Sequence, residues 1–383
     1  MPSASSLGTP VSLRRVAATM LGMLALAHPV TAQQALVPAR PVRDFAATIS
    51  RLSEPGGYFD TDNLISNESS YLHPLGRLKE LGVRGGAYIG VGPDQNFSYI
   101  AGIRPHIAYI VDLRRDNLLQ HLMFKALFQR SRNRLDYLCR WLGRVPPVDL
   151  ASWDQRSISD LTAWIGKEPP NQQFAQAEQN GIIAAVRETG VPLSEQDAGT
   201  IRRFHNSFVT GGLNLQFTSF NRGPRPYYPT LGELILEKDL AGSQASYLAR
   251  EEDWQFVKNL EVADRVVPVI GNLAGTTALK AIGRDLQRQG EKISAVYTSN
   301  VEQYIWRDGS FPRFAESVAS LPHDRRSVII RSYFGGGSGG QSHPLARDGY
   351  YSTQLVQLVN DFVQRQRNGG WTSYWELVTA GNR

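Results

Sequence analysis

Two glycines and a carboxylate at strand ends carry the clearest chemical pattern in the chain. Tyr88-Ile89-Gly90-Val91-Gly92-Pro93-Asp94-Gln95-Asn96 sets the glycines just after a short apolar run, and Asp112 closes the next such run, 22 positions after Gly90. Glycines at that point let the backbone approach a ligand, and the free N–H groups opening the following helix face it. A carboxylate at the tip of the second strand can accept both hydroxyls of a ribose. Gly90, Gly92, Asp94, Asn96 and Asp112 are therefore expected to hold a nucleotide-type cofactor. Position 95 is Gln where a dinucleotide fingerprint needs its third glycine, which disfavours NAD.

A second constellation follows. Val269-Ile270-Gly271-Asn272-Leu273-Ala274-Gly275 and Tyr297-Thr298-Ser299-Asn300-Val301-Glu302-Gln303-Tyr304 both put polar groups after apolar runs. Open α/β sheets bind ligands at that edge. Asn272 is expected beside the cofactor, Ser299 and Asn300 beside the substrate, and Glu302 or Tyr304 as acid–base groups. The bland alternative is helix capping by Ser299 or Asn300, with Tyr304 packed in the core. Arg331, ending a strand, suits a substrate carboxylate or phosphate, and equally a structural ion pair. Asp60 and Asn63 follow a Pro-Gly-Gly turn and are expected to close over the substrate. Asp60-Thr61-Asp62 also matches an Asp-x-Asp metal–nucleotide pattern, but it precedes the strands and reads as a cap or lid.

Other motifs are weaker. Gly336-Gly337-Ser338-Gly339-Gly340 fits G-x-S-x-G, yet Gln341-Ser342-His343-Pro344 is no helix start, so a nucleophile elbow is not expected. The seven histidines form no pair at metal-ligand spacing, and no metal is expected. His205, near Phe204 and Phe208, reads as a packed helix residue. The lone Cys139 excludes an internal disulfide and a cysteine-based metal cluster.

The elements that would position these groups alternate. Residues 87–91 and 107–113 read as strands with a short helix over 96–104 between them, and 116–130 as a stronger helix with Leu118, Leu119, Leu122, Met123, Ala126 and Leu127 at helical spacing. This is a βαβ unit with a parallel pair. From about 131 to 264 the chain reads as a helical insertion, with Ser194 to Asp197 as a capping box and 221–229 as a proline-rich loop. Strands over 265–271, 293–298 and 327–332 follow. A helix runs from Thr276 or Thr277 to Gln289, stopped by Gly290, and a last amphipathic helix spans 352–367. The fold class expected is a Rossmann-like, mostly parallel α/β sheet forming one domain over 33–383.

Hydrophobic residues at 42% and charged residues at 20% suit a chain that buries a substantial core. Arg14-Arg15, an apolar run to Ala27 and Val30-Thr31-Ala32 form an export leader of residues 1–32, with cleavage expected after Ala32. Removing those two arginines from the formal charge of +6 leaves +4. With no dense basic run, no nucleic-acid partner is expected. No later apolar stretch is long enough for a transmembrane anchor. The expected product is periplasmic or secreted.

The stretches Phe59 to Glu68, Gly90 to Phe97, Ile110 to Arg115 and Tyr297 to Tyr304 resemble a poorly characterised bacterial family related in fold to class I S-adenosylmethionine (SAM) dependent methyltransferases. The similarity covers most of the chain after about residue 50. It implies SAM at Gly90, Gly92 and Asp112, with no pyrophosphate to cradle. It also implies an Asp where this chain has Asn272, so hydrogen bonding is kept and a charge is lost. The acceptor is not given, since no Asn-Pro-Pro-Tyr motif is present. The expected function is SAM-dependent methyl transfer. The alternative is an exported, non-catalytic Rossmann-like protein that binds a small-molecule ligand.

Overall fold

The computed structural model describes residues 44–61, 63–219, 225–335 and 341–381. The leader over 1–32, Asp62 and the Gly336–Gly340 motif with Ser338 lie outside them. Six strands form one sheet: β1 (Ala87–Gly90), β2 (Ile107–Asp112), β3 (Val266–Ile270), β4 (Ile293–Ser299), β5 (Val328–Tyr333) and β6 (Thr353–Leu358), in the order 3-2-1-4-5-6. The first five are parallel, and β6 runs antiparallel to β5 with Ile330 opposite Val356. The strands are buried on both faces, as near-continuous apolar runs in parallel sheets must be. The fold is α/β and Rossmann-like, with helices flanking a mostly parallel sheet.

Among the described residues, seven α-helices lie between β2 and β3, from Arg115–Arg130 to Glu251–Val262. The first of these is buried from Asn117 to Phe128, so it shows almost no amphipathic stripe. Around it Phe97, Phe124, Phe128, Trp141 and Phe208 pack at centroid distances of 4.9–6.3 Å, several edge to face. The capping box at Ser194 forms with both of its hydrogen bonds.

Two stretches differ from the sequence reading. Residues 353–358 form β6, and only Val359–Arg367 is helical. Leu355, Val356, Leu358 and Val359 fit either period. Pairing decides, because the free edge of β5 leaves unsatisfied N–H and C=O groups that β6 meets. Ahead of β1, where the sequence reading assigned no element, the chain forms a helix, Phe45–Leu52, whose Phe45, Ile49 and Leu52 are buried.

After that helix the chain runs along the C-terminal edge of the sheet. Glu54 N–H donates to the Ile270 carbonyl at 2.9 Å and Gly57 N–H to the Leu113 carbonyl at 2.8 Å. Thr61 forms an antiparallel bridge with Ser219 and donates its Oγ1–H to the Thr218 carbonyl. This strap carries residues 54–61 and 63–68 across the strand tips.

Candidate functional site

A cavity of about 280 Å³ opens at the C-terminal ends of β1, β2, β3 and β4, under the strap. It lies where β1 has β2 on one side and β4 on the other, the point at which the chain order reverses. Open α/β sheets bind ligands there. Of the residues singled out from sequence, Asp60, Asn63, Gly92, Asp112, Asn272, Ser299, Asn300 and Tyr304 line this one cavity. Gly90, Asp94, Asn96, Glu302 and Arg331 do not line it.

The glycine turn explains part of that division. Gly92 has φ +83°, a backbone region that disfavours side chains, and its carbonyl accepts from Asn96, Asn117 and His121 at 3.2, 3.0 and 2.9 Å. Asn96 is fully buried beneath the turn. Its Nδ2 also donates to the Val91 and Pro93 carbonyls, and its Oδ1 accepts from the Tyr88 hydroxyl. A Cβ on Gly90 would stand 2.0 Å from that Oδ1. Gly90 and Asn96 thus shape the turn, while Gly92 faces the cavity.

Asp94 is buried beside Tyr247, and burial pushes its carboxyl up to about 7. A carboxyl with a raised folded-state value favours folding while protonated, and that contribution is lost as pH rises through about 7. Asp94→Asn is therefore expected to gain stability relative to the parent as pH rises from about 4 to 7, then level off. Urea midpoints across that range test it, and a flat difference would show that Asp94 is ionised throughout. His121 acts in the opposite direction. Burial lowers it to about 4, so its neutral form costs stability only below its ordinary range.

Asp112 reaches the cavity already engaged. Arg114 gives it three hydrogen bonds, from its backbone N–H and Nε to Oδ1 and from Nη2 to Oδ2, at 2.9–3.1 Å. Arg114 also donates to the Thr61 carbonyl at 2.8 Å, tying the strap to β2. A carboxylate offers about four acceptor positions. One position on Oδ2 therefore stays open, where the sequence reading expects both ribose hydroxyls to be taken. At the tip of β3, Asn272 Oδ1 accepts from Ala274 N–H, and its own N–H donates to Glu54 Oε1.

On the β4 side the sequence reading left out the central group. Glu68 is 1% exposed and lines the cavity. Its carboxylate accepts from the Tyr297 hydroxyl at 2.7 Å, Gln354 Nε2 at 3.0 Å, and the Ser299 and Ser332 hydroxyls. Ser299 has φ +51° and Asn63 φ +52°, so two of the five non-glycine residues in this region, among those described, border the cavity. Such outliers concentrate at functional sites. Glu302 is fully buried and salt-bridged to Arg331, which is equally buried, at 2.6 Å. Arg331 donates as well to Gln357 Oε1. Tyr304 stands at the mouth, edge to face with Phe59 at 5.2 Å, and Phe217 meets Tyr228 at 5.0 Å on the same lining. Among the described residues, no cluster of three or more His, Cys, Asp or Glu is placed to hold a metal, and no helix is long and apolar enough to cross a membrane.

Fold and site together define a Rossmann-like α/β protein with a cleft at the sheet's switch point. The chain belongs to the family described as Domain of unknown function (DUF7790), whose model matches residues 64–145 and 157–374. No curated protein matches it. The matched segments hold every strand and most of the cleft, Glu68 included. Glu68 and Arg114 could be found in sequence only as members of longer motifs. Glu68 meets Tyr297 across 229 positions, and no local spacing signals that.

Proposed function

We propose that this cleft binds SAM and that the protein is methyltransferase-like. One observation carries the reading: the left-handed turn at Gly92 and the carboxylate of Asp112 border a single cavity at the switch point. Adenosine would lie along the tips of β2 and β3, with one ribose hydroxyl on Asp112 Oδ2 and the amino-acid end toward Gly92. Methyl transfer needs alignment of the sulfonium with a nucleophile more than covalent machinery. Tyr304 is the remaining acid–base candidate from sequence with access to the cavity.

A second reading, ligand binding without catalysis, draws on the burial of Glu302 in its ion pair with Arg331. It also fits export of the chain behind residues 1–32, because SAM is a cytoplasmic metabolite. Calorimetric titration of residues 33–383 with SAM and S-adenosylhomocysteine tests the shared claim. Saturable binding is expected, weakened roughly 10- to 100-fold by Asp112→Asn through loss of a charge-assisted hydrogen bond. No binding to folded protein would overturn the cofactor assignment. Binding with no turnover on any offered acceptor favours the second reading.

A further inference from the structure

We infer that the protein carries a second binding site, for a phosphate group, at the edge of the sheet opposite the cleft. A cavity of about 200 Å³ opens there, where the chain enters β1, β4 and β5. Arg84, Lys292 and Arg326 line it, one from each of the three connections, and all three residues are exposed. None of them has a carboxylate partner among the described residues. Two acids share the lining. Glu291 Oε1 meets His106 Nδ1 at 2.9 Å, and Asp324 Oδ1 accepts the backbone N–H of Arg326 at 2.9 Å. The lining keeps a net positive charge, three cations against two carboxylates that are already engaged.

Two arginines to one carboxylate is a recurring arrangement in this chain. Asp285 pairs with Arg51 and Arg288, and Glu178 with Arg130 and Arg140. At this cavity three cations border one space and have no carboxylate in common. Like charges held together raise each other's energy, and an anion between them relieves it. Donors that arrive from three separate loops suit the tetrahedral oxygens of a phosphate better than a planar carboxylate. The backbone beneath is tightly set. Gly86 has φ +59°, and a Cβ there would stand 2.5 Å from the Lys292 carbonyl and 2.6 Å from Ser294 Oγ. Ser294 also donates to the Gly85 carbonyl. The starts of β1 and β4 are thus pressed together, which fixes the turns that Arg84 and Lys292 leave.

Calorimetric titration of the protein with sodium phosphate tests the site, at low salt because salt screens exposed charges. Saturable binding is expected, with a Kd of roughly 1 mM or tighter. The double variant Arg84→Gln, Arg326→Gln should weaken it at least about tenfold, through loss of two charge-assisted hydrogen bonds. Both positions are exposed, so this variant should fold as the parent does. Sedimentation with phosphatidylglycerol vesicles, with phosphatidylcholine vesicles as the control, separates two sources of the phosphate. Retention on the anionic vesicles alone, lost in the double variant, assigns the site to a lipid headgroup. Saturable phosphate binding without retention assigns it to a free phosphate compound. Either result supports the site. Neither phosphate binding nor retention on anionic vesicles, or binding that survives the double variant, overturns the inference. Asp112→Asn should leave phosphate binding unchanged, which keeps this outcome separate from that of the cleft.

Discussion

Arg331→Met is expected to lower the unfolding free energy by about 3–5 kcal/mol, the range for removing one partner of a buried ion pair. The reason is the environment of Glu302. Both side chains of the pair are fully buried, and methionine would leave the Glu302 carboxylate without its counter-charge and Gln357 Oε1 without its donor. The double variant Arg331→Met, Glu302→Leu should recover much of the loss, because replacing both charges removes the stranded one. Denaturant midpoints measure this. The ligand affinity of the single variant should stay close to that of the parent at temperatures where it is folded. A small stability change coupled to loss of ligand binding would instead give Arg331 the substrate-binding role expected from sequence.

Asn96→Leu is the second large effect, at roughly 3 kcal/mol or more, since each stranded buried polar group costs about 1–3 kcal/mol. The change keeps similar bulk but strips the Val91 carbonyl and the Tyr88 hydroxyl of their partner, while the Pro93 carbonyl keeps only the backbone N–H of residue 96 at 3.4 Å. The Gly92 carbonyl would still have Asn117 and His121. Affinity for the cleft's ligand should fall with stability, because the same bonds hold the turn that borders the cavity. A variant with near-parental stability would mean that water replaces the amide, and that the turn does not depend on it.

The parallel core was legible because its strands are short apolar runs, the first three ended by glycine or carboxylate, and because the helix over Arg115–Arg130 follows at βαβ spacing. β6 was not legible. Its six residues alternate too weakly to separate strand from helix, and their pairing partners lie 20 to 30 positions earlier in the chain. The site was legible where a residue's role depends on its place at a strand end. Asp112, Asn272 and Ser299 fall on the cavity for that reason. It was illegible where burial decides. Glu302 and Asn96 share the polarity of ligand-binding residues, but one neutralises Arg331 and the other satisfies carbonyls under the turn. Glu68 is the converse, a residue with no local motif that a strap delivers to the floor of the cleft.

The most direct test of the central claim is a crystal structure of residues 33–383 grown with saturating S-adenosylhomocysteine. The predicted result is an adenosyl ligand in the cleft, with one ribose hydroxyl within about 3.2 Å of Asp112 Oδ2. An adenosyl group bound elsewhere, or a cleft left to water in crystals of a protein that binds the compound in solution, would contradict the account.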